Sequence, residues 1–221
     1  MLLHCENQNG AGDESGAPAW LGADTLESLM EVNEACLALL AEEARVRGAP
    51  AAPLLRQIGE LWRGLDPGAR RRAAACPYLL LDAGFADPLR WRTPAAQVGD
   101  APRAAYTSYF TVPDAADVAR LVFTYAWHLA RSQASAARLF LGMPASCAAL
   151  IGHRSLCQIQ ELAGEHPEWL TPRWPARVEV WRALLLAAAG GDSSGLERAR
   201  LRGLALLAAE VRDGSAARAP G

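Results

Sequence analysis

The chain contains no lysine, and all 22 of its basic residues are arginine. That absence excludes the phosphate-loop lysine, Schiff-base chemistry and the kinase lysine, since each needs an amine. Long apolar runs are lacking as well. None approaches the roughly 18 residues of a membrane helix, and the greasiest stretch, residues 184–189, is bounded by Arg182 and Gly190-Gly191. Met1-Leu2-Leu3-His4-Cys5-Glu6 has neither a basic nor an apolar region of the kind a secretory signal carries. Cysteine is sparse: five residues (5, 36, 76, 147 and 157), odd in number and without a CxxC pair. A disulfide framework calls for denser, even-numbered cysteines, so free, buried thiols in a reducing cytoplasm are expected. No alternating strand pattern of useful length occurs, apart from a few residues near Tyr106–Val112.

What remains is a chain of 221 residues with 51% hydrophobic and 21% charged residues and a net charge of −2. It is long enough to bury a sizeable core and too apolar to be disordered. Residues 1–22 read as a flexible leader rich in Gly, Asn and Ser. Asp24 then offers a helix cap with Glu27 three residues on, and Leu26, Leu29, Met30, Asn33, Leu37, Leu40, Ala41 and Ala44 follow at helical spacing. Leu54–Leu65 makes a second helix. Asp66-Pro67 opens a third, in which Arg70-Arg71-Arg72 precede an apolar run to Leu81. Residues 83–105, punctuated by Gly84, Pro88, Pro94, Gly99 and Pro102, read as an irregular connector.

The second half repeats this style. Val112-Pro113-Asp114 opens a helix with apolar Val118, Leu121, Val122, Tyr125, Ala126 and Leu129. Further helices are expected over 132–143, 144–151, 156–163 and 178–189, and a last one capped by Ser193 or Ser194; the tail from Gly214 reads as frayed. The fold class is therefore all-α: a multi-helix bundle in which residues 23–105 and 106–213 form two related lobes. An offset of 78 residues brings the lobes into loose register, placing Leu61-Trp62-Arg63-Gly64 on Leu139-Phe140-Leu141-Gly142 and Trp91 on Trp169.

Few residues carry chemistry. Gly191-Asp192-Ser193-Ser194-Gly195 matches the letters of a nucleophile elbow. That chemistry needs a strand before the serine and a histidine after it, whereas here a helix precedes and the last histidine is His166. A helix C-cap followed by an N-cap accounts for the same letters. Cys147, His153, Cys157 and His166 fit no zinc spacing, and Asp82 and Asp87 read as turn caps. No catalytic residue, cofactor or metal is expected. Arg70, Arg71 and Arg72 form the densest charge run, of the kind that neutralises phosphates. Their alternative is a solvated helix face. Of the seven tryptophans, Trp62 lies on a core stripe. Trp91, Trp169 and Trp174 stand beside prolines, where they cap the core or line a partner groove.

One segment resembles a known family. Leu141-Gly142-Met143, Ala148 and Leu156-Cys157-Gln158-Ile159-Gln160-Glu161-Leu162-Ala163, with Arg173-Trp174 beyond, resemble the small helical subunit of the bacterial flagellar master transcriptional regulator over about residues 118–174. Two short helices joined by Gly152-His153-Arg154-Ser155 read independently as a helix-turn-helix-like unit. The resemblance implies a transcriptional regulator working through protein contacts and DNA, with dimers and a second, different subunit as partner. It places the contacts on Arg154, Gln158, Gln160 and Arg173, to which the arginine run is added. A helical adaptor without any nucleic-acid role is the competing expectation, given the mildly acidic pI near 6.1. Asn33, the lone polar residue on its apolar stripe, is expected either to register paired helices of a homodimer or to face a polar pocket.

Overall fold

The structure, a computed structural model, describes residues 23–46, 52–92 and 108–216. The expected leader and residues 93–105 of the expected 83–105 connector lie outside the described residues. The first half comprises α1 (Ala23–Glu43), α2 (Pro53–Gln57), α3 (Gly59–Arg63), α4 (Pro67–Ala74), β1 (Leu81–Asp82) and α5 (Pro88–Arg92). The second comprises α6 (Ala115–Ser132), α7 (Ala134–Leu141), α8 (Ala145–Gly152), α9 (Leu156–Glu165), a 3-10 turn at Pro167–Trp169, β2 (Thr171–Pro172), α10 (Val178–Gly190) and α11 (Ser193–Ala216). The chain is an all-α bundle carrying one two-residue ladder.

Local chemistry accounts for most helix boundaries. The Asp66 carboxylate accepts from Ala69 N–H at 2.8 Å and starts α4 ahead of Pro67. Ser155 and Gln158 form a reciprocal capping box on α9. Asp192, rather than either serine, caps α11 by accepting from Gly195 N–H at 2.9 Å. Gly191 closes α10 with φ +66°, a left-handed conformation that glycine adopts at little cost. The helix expected over 54–65 is divided at Ile58, which takes φ −127° and ψ 30° and turns a buried side chain into the core. Within the expected connector, Pro88–Arg92 is helical, because Trp91 is fully buried and draws that segment onto the core. The last helix continues to Ala216, past the point where fraying was expected.

The two halves do correspond, but at 90 residues rather than 78. Adding 90 carries β1 onto β2, Trp91-Arg92 onto Trp181-Arg182, and α1 onto the span of α6. It also carries Gly84 (φ +70°) onto Trp174 (φ +49°), the one described non-glycine residue with a positive φ. An offset of 78 would instead place β1 inside α9. The ladder is antiparallel, pairing Leu81 with Pro172 and Asp82 with Thr171. Exchange of the halves at 90 residues maps this pairing onto itself, so a local two-fold axis passes through it. α1 and α6 obey the same axis. Glu43, ending α1, accepts from Thr111 N–H (2.7 Å), Thr111 Oγ1 (2.7 Å) and Val112 N–H (3.2 Å) at the entry to α6. Gln133, ending α6 and 90 residues later, bonds Thr25 near the start of α1. The two helices therefore lie antiparallel.

One hydrophobic core runs through both halves. Trp62 meets Trp181 at 5.6 Å, Tyr78 meets Trp174 at 5.6 Å, and Phe85, Trp91, Phe123 and Trp169 form a continuous aromatic cluster. Asn33 is completely buried inside this core. Its Nδ2 donates to the carbonyls of Ala74 (3.1 Å), Cys76 (3.4 Å) and Tyr78 (2.9 Å), and its Oδ1 accepts from Leu80 N–H at 2.9 Å. It thus replaces the ladder bonds of the irregular stretch between α4 and β1. Asn33 faces a polar pocket within its own chain and registers no intermolecular helix pair.

Candidate functional site

Most of the residues expected to make contacts are engaged within the fold. Arg173 is only 5% exposed. Its Nε donates to Leu79 O at 2.7 Å and its Nη2 to Leu141 O at 2.5 Å, while Asp82 and Glu210 lie 3.9 and 3.6 Å from the guanidinium. It pins β1, α7 and α11 together and is out of reach of a partner. Arg154 Nη2 donates to Trp91 O at 2.6 Å, its own carbonyl accepts from Trp127 Nε1, and burial pulls its pKa down. Gln158 is spent on the α9 cap. Arg72 Nε donates to Ala188 O at 2.7 Å, close to the end of α10, where a cation suits the carbonyl end of a helix.

Arg70 is half-buried with its Nε unpartnered, Arg71 stands exposed 3.8 Å from Glu34, and Gln160 is exposed. The seven positions are thus spread over several elements, and three of them, Arg72, Arg154 and Arg173, are answered by carbonyls of this chain. Charge in the sequence signalled exposure, whereas an arginine can also be buried when its fork meets carbonyls that no helix or sheet has used.

The remaining chemistry-bearing motifs are structural as well. Asp82 accepts from Gly84 and Phe85 N–H, and Asp87 from Leu89 N–H, so both carboxylates cap turns. The 191–195 string is the α10–α11 connection and its cap. Cys36, Cys76 and Cys147 are buried, but Cys157 is exposed on α9, contrary to expectation, because it lies on the side of the helix away from the buried Ile159, Leu162 and Ala163. Among the described residues, no group of three His, Cys, Asp or Glu could hold a metal ion. No single described helix is long and apolar enough to cross a membrane. Trp91 and Trp169 belong to the core, and the half-buried Trp174 donates to Glu210 at 2.7 Å.

The site that sequence reasoning missed is on α11. One face of this helix, Leu196, Ala199, Gly203 and Leu207, is buried. Gly203 has to be glycine there, since a Cβ would come within 2.0 Å of the Tyr78 hydroxyl. At 3.6 residues per turn, Leu201, Leu204, Ala205, Ala208 and Val211 form a second strip that adjoins this face, with Leu204 and Val211 at its border and Leu201 and Ala205 farthest from it. Leu201 is 58% exposed, Ala205 and Ala208 are exposed, and Leu204 and Val211 are half-covered. Beside this strip runs a groove of about 540 Å³ between α7 and α11, with Leu139, itself 46% exposed, on its far wall and Arg138 and Arg212 at its rim. A helix with a second apolar strip beside its buried face is normally covered there as well.

The signal was present in the sequence. Leu204-Ala205-Leu206-Leu207-Ala208-Ala209-Glu210 repeats Leu37-Ala38-Leu39-Leu40-Ala41-Glu42-Glu43 with one exchange. In α1 the corresponding Leu37 and Ala41 are buried.

No family model matches the chain, and neither a curated protein nor a solved structure matches it at a significant level.

Proposed function

We propose that the protein is a regulator-like helical adaptor that works by binding other protein surfaces, with the α7–α11 face as its docking surface. The observation that carries this reading is the outward apolar strip of α11 beside the Leu139 groove, because contiguous exposed apolar surface marks interaction sites. The resemblance of residues 118–174 to a regulator subunit that joins a second subunit is a further support. Direct DNA reading draws less support, since Arg72, Arg154, Gln158 and Arg173 already have partners inside the chain.

The test is in-cell cross-linking of the full chain beside its Leu139→Glu variant, with cross-links located by mass spectrometry. Cross-links concentrated on α7 and α11 that the variant loses are the expected result. Cross-links located elsewhere and untouched by the variant would overturn it. Strong, salt-dependent binding of the purified chain to fragments of its own genome would instead favour DNA.

A further inference from the structure

We infer that the occupant of the α11 strip is the α11 of a second copy of this chain, lying antiparallel across a true two-fold axis. This inference rests on the docking reading above and adds the partner and the register.

Three observations point to a second copy. First, the strip of Leu201, Leu204, Ala205, Ala208 and Val211 is as apolar as the buried face of Leu196, Ala199, Gly203 and Leu207, so it is built as an interior surface. Second, α11 carries the pattern of α1, and α1 is laid antiparallel on α6 about a local two-fold within the chain. One helix of this pattern is thus already packed antiparallel against a neighbour, and α11 is the helix of this pattern left with an open side.

The third observation is charge. An antiparallel pair centred between Leu204 and Ala205 sets Glu197 of each copy opposite Arg212 of the other. The same register sets Leu201 opposite Ala208 and Leu204 opposite Ala205, so a large residue meets a small one at these central steps, while Val211 meets the stem of Arg198. Within the described residues neither Glu197 nor Arg212 has an ion-pair partner. A parallel pair would set Arg212 against Arg212 and Glu197 against Glu197. The surface is therefore self-complementary in the antiparallel sense only, as an isologous contact requires.

Light scattering and sedimentation on the full chain, over a micromolar concentration range, test this directly. The expected mass is twice 23.6 kDa, falling to one chain for Leu201→Arg. Leu201 is exposed, so circular dichroism should confirm that this variant stays folded. Glu197→Arg and Arg212→Glu alone should each weaken dimerisation roughly tenfold or more, and the double exchange E197R/R212E should restore it. A wild-type mass of one chain at every concentration overturns the inference, as does a dimer indifferent to Leu201→Arg. If the chain is monomeric while in-cell cross-links still fall on α7 and α11, the docking surface stands and only its occupant is different.

Discussion

α1 and α11 share a seven-residue run with a single exchange and differ in how much of the chain lies over them. α1 lies between α4 and α6, and Leu29, Val32, Cys36, Leu37, Leu39, Leu40 and Ala41 are all buried. α11 packs on α10, and its second apolar side is left open beside α7. Nearly the same pattern is fully covered in one place and covered on one side only in the other. What decides is whether the remaining chain can supply a second neighbour, because the driving force is area removed from water rather than the pattern itself. Replacements at matched positions in the two helices break that comparison most directly.

The largest effect belongs to the side of α1 that holds the α4–β1 stretch. Asn33→Leu removes one acceptor and the donor shared by three buried carbonyls. We expect a loss of about 4 kcal/mol in urea unfolding, as for other broken buried networks. A loss below about 1 kcal/mol would mean that water or neighbouring groups take over those carbonyls.

Much of the fold was legible in the sequence, because caps and apolar spacing are local. Asp66, the Ser155–Gln158 box and Gly190-Gly191 mark their boundaries without reference to anything distant. The functional surface was harder to read. Arg173 looked like a contact residue because its partners, Leu79 O and Leu141 O, lie 94 and 32 residues away and become available only in the fold. The correspondence at 90 residues was hidden for a related reason. Its firmest markers are backbone features, the two-residue ladder and the positive φ of Gly84 and Trp174, while alanine- and leucine-rich helices align at several offsets. Trp91-Arg92 and Trp181-Arg182 were its visible trace. Exposure of the α11 strip could not be read at all, since it is a statement about missing neighbours.

Leu37 and Leu204 occupy the same place in the shared run. Leu37→Ala should cost about 3 kcal/mol by opening a cavity in a fully covered site. Leu204→Ala should cost about 1 kcal/mol, because its site is half-open and collapses toward solvent. Thermal or urea unfolding of the two variants side by side checks this, and equal losses would show that α11 is covered on both sides even in the monomer. Glu43 and Glu210 extend the comparison. Glu43→Ala leaves Thr111 and Val112 N–H unpaired and should cost about 2 kcal/mol. Glu210 is half-exposed, so its contacts with Trp174 and Arg173 are screened, and Glu210→Ala should cost well under about 1 kcal/mol.

Thiol titration reports coverage on the α1 side through pH. Burial pushes the Cys76 thiol from 9.0 up to about 11, and pushes Cys36 and Tyr78 upward as well. A group whose folded pKa is raised contributes stability that is full below its unfolded pKa and is lost as pH rises through the folded value. Stability should therefore fall by about 1 kcal/mol for Cys76 alone between pH 8 and pH 10, with Cys36 and Tyr78 adding loss of the same sign. Cys76→Ala should make the pH profile of the urea midpoint shallower. A thiol reagent at pH 8 should label Cys157 rapidly and spare Cys36, Cys76 and Cys147 until the chain unfolds. A cysteine placed at Leu201 extends the measurement to α11. In the folded single chain it should label about as fast as Cys157, and it should be protected only as concentration rises and the strip is covered. Protection of that cysteine at every concentration would mean that α11, like α1, is already covered within one chain.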